Sequence, residues 1–221
     1  ATPPKMKVPP DELLLTLEFF RHSIVATSFH GETVHPRMVS AHDIAVAISQ
    51  NVPFSSGLLP PDALWWQTSR EGPVVALWRP PRTWRVALQM KAGQAPRRFA
   101  LPMPGLVFLC TPARPPWVFA LKERPSNGNE RVYRAPVFNV FSEGRSCPGT
   151  HKYPERIADI PESFMVSWSS PTGDSANRSK RHPEFLGDLW AELDGKKEYP
   201  MDDLVEDRRH RHVQDLLAIG S

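Results

Sequence analysis

Apolar residues fall in short runs along most of this chain, broken by polar or proline-bearing segments. That spacing predicts strands and short helices rather than long helices. ELLLTLEFF (12–20) and SIVATSF (23–29), followed by the turn-like HGE, read as a hairpin, although the first run also fits a short helix. Ser40 precedes AHDIAVAISQ, whose apolar spacing predicts a short amphipathic helix ending near Asn51. After the connector VPFSSGLLPPDALWW come the densest strand signals: Pro73–Arg79, Trp84–Met90, Arg98–Leu101 with Leu106–Cys110, and Trp117–Lys122. Turn residues separate them, so one antiparallel meander is expected. VYRAPVFNVF predicts a strand ending near Phe141, and the loop SEGRSCPG follows. Residues 154–181 are polar, carry Pro154, Pro161 and Pro171, and hold little periodicity beyond SFMVSW. Pro183 suits the first turn of a helix through PEFLGDLWAEL that stops at Gly195. A last helix is expected within Met201–Ile219.

Composition narrows this picture. Two hundred and twenty-one residues, 40% hydrophobic and 23% charged, suit one globular α+β core. The 25 prolines, several in pairs such as Pro80-Pro81, keep helices short because each removes a donor and fixes φ. We expect a disordered N-terminal segment at 1–11 and a single domain over 12–200. Its parts would be an N-terminal hairpin and helix (12–60), a meander and reactive loop (73–147) and a helical part (148–200), with a tail at 201–221. No run is apolar enough for a membrane helix and no leader opens the chain, so a cytoplasmic protein is expected. The net charge of +3 is scattered, which gives nucleic-acid binding no concentrated face. Two cysteines, Cys110 and Cys147, argue against a disulfide framework and a zinc ribbon.

The chemistry concentrates in Asn139–Cys147, NVFSEGRSC. A strand, a turn at Ser142-Glu143-Gly144 and then a thiol, stopped by Pro148 and Gly149, put Cys147 on an irregular segment that substrates can reach. Thiolate is the reactive form, and Arg145 is a candidate to stabilise it. The Asn139 amide is a candidate oxyanion donor if the turn folds it back toward the thiol. Cys110 closes the apolar run LVFLC and reads as a small core hydrophobe.

These residues resemble those of ubiquitin-conjugating enzymes, in which an asparagine of a His-Pro-Asn tripeptide lies eight positions before the catalytic cysteine. Asn139 stands eight before Cys147, and Gly144 falls on the glycine of that turn, but Val137 and Phe138 stand where the family has His and Pro. SSGLLPPDALWW, PVVALWRPPRTWRVALQ and YRAPVFNVFSEGRSCPG are similar to prokaryotic ubiquitin-conjugating family D, the group that includes PRTRC system protein B. The resemblance implies a ubiquitin-conjugating-enzyme-like fold, an antiparallel β-meander with flanking helices and an N-terminal β-hairpin extension. It also implies a ubiquitin-like protein carried as a thioester on Cys147, with neither metal nor organic cofactor. The partners it implies are that ubiquitin-like protein, a ThiF-like activating enzyme and a JAB-type isopeptidase.

His151, Glu143 and Glu155 are candidate bases for the acceptor amine, and Gly144, Arg145 and His151 are supporting candidates around Cys147 and Asn139. His151 also reads as a solvated loop histidine, and His182 as bordering a helix. RRHRH at 208–212 reads as a solvated helix face, and Trp65, Trp66, Trp78 and Trp84 as core and rim aromatics. Two rival readings stand beside the enzyme: an inactive scaffold of the same fold, and a plasmid-maintenance protein that touches DNA.

Overall fold

A computed structural model describes residues 15–30, 33–51, 56–69, 72–91, 93–147, 149–171 and 175–219. The disorder expected for 1–11 and the turn at Gly31-Glu32 lie outside them. The chain groups into two compact units, 1–57 and 58–221, where the sequence reading has one domain over 12–200.

The first unit is a three-stranded antiparallel sheet with one helix. Strands β1 (Leu15–Phe19), β2 (Ile24–His30) and β3 (Thr33–Val39) lie in sequence order, so the expected hairpin gains a third strand. Helix α1 (Ala41–Asn51) follows as its apolar spacing predicts. Ser40 caps it: its hydroxyl accepts the N–H of Asp43 at 3.0 Å, and the Asp43 carboxylate accepts the Ser40 N–H at 3.1 Å. This reciprocal pair satisfies donors that the helix start would otherwise leave open.

The second unit holds two sheets rather than the one meander expected over 73–122. Strands β4 (Ala63–Ser69), β5 (Gly72–Arg79), β8 (Gly105–Cys110), β9 (Trp117–Leu121) and β10 (Tyr133–Arg134) form one sheet in the order β10-β9-β8-β5-β4. Strands β6 (Arg82–Leu88) and β7 (Arg97–Met103) form a hairpin in a second sheet, joined by the short parallel strand β11 (Trp168–Ser169). Pro80-Pro81 denies two N–H donors where β5 hands over to β6. The chain therefore leaves the first sheet and returns to it only at Gly105, pairing β8 beside β5.

Both faces of the larger sheet are buried, which is why β5 and β8 read as continuous apolar runs. Val75, Leu77, Leu106 and Phe108 share one core with Trp84, Val86, Phe99 and Leu101 of the second sheet. Val74, Ala76, Val107 and Phe119 face the other way, under Val213, Leu216 and Ile219 of the C-terminal tail. That tail is a 3₁₀ helix at Val213–Ala218, and residues 201–212 form no helix.

Two helices seal the first core. Helix α2 (Ile160–Val166) lies within a stretch that shows little periodicity in sequence; it buries Ile160, Pro161, Phe164 and Met165 over β6 and β8. Helix α3 runs from Leu186 to Leu193, three residues later than Pro183 suggests. It packs on β7, with Trp190 edge-on to Phe99 at 5.7 Å, and Gly195 follows at φ +75°, which ends the helix. No helix among the described residues is long and apolar enough to cross a membrane.

Candidate active site

Residues 139–147 close into a tight hairpin rather than ending a regular strand. The N–H of Cys147 donates to the carbonyl of Asn139 at 2.7 Å, Val140 bridges Ser146, and the N–H of Phe141 donates to Arg145 at 2.8 Å. The eight-residue interval is thus folded back, so Asn139 and Cys147 stand opposite each other across the hairpin. Its returning arm extends the larger sheet beside β9: Trp117 bridges Arg145, and the N–H of Val118 donates to Gly144 at 2.8 Å. Gly144 sits at φ +98°, and a Cβ there would run into the Phe119 ring, so the turn needs glycine for conformation and for space.

Beneath the hairpin, two anchors fix its departing arm. Val137 and Phe138 are buried, with Phe138 edge-on to Trp190 at 4.8 Å, and the indole N–H of Trp190 donates to the carbonyl of Pro136 at 3.0 Å. Arg178 is only 2% exposed and spreads its guanidinium across backbone carbonyls: Ala135 at 2.9 Å, Phe141 at 2.9 Å, and Val140 between them. A planar fork with five donors suits several carbonyls at once, where a lysine would reach fewer.

Above the hairpin lies a cleft of about 620 Å³, lined among others by Cys147, Asn139, His151, Tyr153, Val166 and Ser170. Cys147 is a partly exposed free thiol; Cys110 is a buried one, and burial pushes its pKa far up. Asn139 adopts φ +60°, and its Oδ1 accepts the backbone N–H of Ser170 at 3.1 Å. Because that N–H can only donate, it decides which end of the amide faces Ser170. Burial pushes the Tyr153 hydroxyl up to about 12, and the charge of Cys147 as thiolate adds to the rise. His151 bonds the hydroxyl of Ser163 through Nε2 at 2.8 Å and stands edge-on to Tyr153 at 4.8 Å. Among the described residues no cluster of metal-ligating side chains occurs.

Residues 38–206, which include the Asn139–Cys147 hairpin, match the family described as Prokaryotic E2 family D. The chain belongs to that family. No curated protein and no solved structure gives a match.

Of the residues singled out in sequence, this family D chain brings Cys147, Asn139 and His151 to one cleft. Gly144 shapes the turn below it. Arg145 does not line the cleft: its guanidinium lies 5.2 Å over the Phe141 ring and 3.5 Å from Glu143. Glu143 is thereby engaged with Arg145, and Glu155 also falls outside the cleft lining. His182 bonds Glu192 at 2.7 Å on α3. The 208–212 run is no helix face: it lies outside any helix, and His210 packs edge-on against Phe119 at 5.3 Å. Trp78 and Trp84 are core residues, as expected.

Sequence reasoning missed Tyr153, Ser170 and Arg178. Tyr153 stands two residues after His151 in HKY, a weak signal. Arg178 and Ser170 lie in a polar stretch with nothing to set them apart.

Proposed function

We propose that this protein is a conjugating enzyme that takes a ubiquitin-like protein from a ThiF-like activating enzyme as a thioester on Cys147 and passes it to an amine. The observation that carries the reading is a partly exposed Cys147 held opposite Asn139 at one cleft, in a chain of Prokaryotic E2 family D.

The thiolate attacks the donor thioester, and the activating enzyme's own sulfur leaves. An amine nitrogen then attacks the new carbonyl, the C–S bond breaks, and Cys147 leaves as thiolate. A thioester keeps the acyl group activated after ATP is spent elsewhere. Each step passes through a tetrahedral oxyanion, and the Asn139 amide is the candidate donor to it. The acceptor ammonium, with an ordinary pKa of about 10.4, must first lose a proton. Of the three bases considered in sequence, His151 lines the cleft, so it receives that role.

Mixed with its cognate activating enzyme, modifier and ATP, the protein should gain a band that reducing agent removes. Cys147→Ala should lose the band and Cys110→Ala should keep it. A band that persists in Cys147→Ala would end the reading.

A further inference from the structure

The outer face of the β6–β7 hairpin carries a second groove that adjoins the thiol cleft. Cross-strand register sets Arg85 opposite Ala100 and Ala87 opposite Arg98. Alternation then turns these four side chains to one face, while Trp84, Val86, Phe99 and Leu101 enter the core. Two alanines make a low floor, and two diagonally placed arginines flank it. The groove measures about 690 Å³. Val166, 66% exposed at the end of α2, lines both this groove and the cleft that holds Cys147.

The electrostatics of the groove are unbalanced. Among the described residues, neither Arg85 nor Arg98 has an ion-pair partner. The carboxylate on its rim, Asp194, is committed to the N–H of Ala100 at 2.8 Å. An exposed apolar rim, a floor of small side chains and two open guanidinium groups fit an extended, acidic polypeptide segment.

Resting on the reading of Cys147 given above, we propose that this groove binds an acidic segment of the acceptor protein and so brings a neighbouring amine to the thioester. The acceptor is the fitting occupant because the modifier is already tethered by a covalent bond once Cys147 is charged. The acceptor arrives from solution, and it is the partner whose rate rises with positioning. The bonding changes are those of the second half-reaction: an N–C bond forms, the C–S bond breaks with Cys147 leaving as thiolate, and the proton lost by nitrogen passes to the base, His151.

The test uses the whole protein, charged on Cys147 by a short peptide α-thioester and freed of excess reagent. It is then chased with either of two lysine peptides that differ only in glutamate or glutamine at the positions flanking the lysine. The glutamate peptide should discharge the protein about tenfold faster at low ionic strength, through a lower KM, and raised salt should erase the advantage. In Arg85→Glu/Arg98→Glu the ratio of the two rates should fall to one or invert, and in Arg85→Gln/Arg98→Gln it should lie between. A ratio is read because it is insensitive to any loss of folded protein. Equal rates for the two peptides, or a preference that survives charge reversal, would overturn the acceptor groove while leaving the role of Cys147 intact. Failure of Cys147 to take up any acyl group would overturn both.

Discussion

The backbone N–H of Ser170 donates to Oδ1 of Asn139 across 3.1 Å, joining the residue after β11 to the residue opposite the thiol. Oδ1 holds Ser170, so the oxyanion role proposed for the amide falls to its Nδ2 end. Asn139→Ala should still charge, and its discharge to a free amine should slow by about tenfold or more. Asn139→Asp keeps an acceptor for Ser170 but loses the donor, so its discharge should slow as much. Single-turnover discharge rates check both. Wild-type speed in Asn139→Asp would leave the residue as a structural tie.

Thiol reactivity should divide the two cysteines. Iodoacetamide on the native protein should label Cys147 and leave Cys110 unlabelled until denaturant is added, because only the first is accessible and the second is held as a buried thiol. Peptide mass mapping reads the result.

Gly144→Ala combines a positive φ with a clash against Phe119. It should destabilise the protein by about 2–4 kcal/mol, joining the cost of a strained backbone to that of overpacking. Denaturant unfolding measures this directly.

Arg178→Met removes every bond from the guanidinium to the carbonyls of Ala135, Val140 and Phe141. The Phe141 carbonyl keeps the N–H of Gly144 at 2.9 Å, but the Ala135 and Val140 carbonyls lose this partner at about 1–3 kcal/mol each, so the substitution should be strongly destabilising. Arg178→Lys, which keeps the charge and part of the bonding, should fall between. Thermal melts of the three proteins give the ranking.

Glu162 on α2 receives Arg79 at 2.8 and 2.9 Å and Arg82 at 2.9 Å. Burial alone would raise its carboxyl, but the Arg79 bonds and then the Arg82 bond outweigh it and hold the pKa below the ordinary carboxylate value. A depressed folded pKa contributes stability above the unfolded value, about 4.3, that is lost as pH falls through the folded one. Glu162→Gln should therefore be less stable than wild type near neutral pH, with the gap closing below pH of about 4. A gap of constant size across that range would remove the ion pair as its cause.

Local pattern was enough to find β2, α1, β5, β8 and β9, because each carries a compact apolar run, spaced at the helical period in α1 and continuous in β5, β8 and β9. The sheet partition was hidden, since β5 pairs β8 across the inserted β6–β7 hairpin, and no local signal distinguishes that from a meander. Helix α2 is only seven residues long with Pro161 in its first turn, too short for periodicity to register. The interval from Asn139 to Cys147 was legible as spacing. That it is closed by a hairpin, and tied to Ser170, depends on contacts between segments distant in the chain. Arg178 was illegible for the same reason: it is buried against the backbone of residues 135–141, 37 to 43 positions earlier in the chain.

The cleft straddles a seam. Cys147 hangs from the hairpin that lengthens the five-stranded sheet at β9, whereas Asn139 reaches across to Ser170 at the margin of the three-stranded one. The thiol and Asn139 share one hairpin, while Ser170, which holds the amide, sits at the margin of the other sheet, so the spacing between hairpin and Ser170 depends on how the two sheets seat on their shared core. Side-chain volume at Phe99, Leu101 or Val86, all distant from the thiol's loop in sequence, becomes a gauge for that spacing. Substitutions there can retune the gap while leaving every residue from 139 to 147 unchanged.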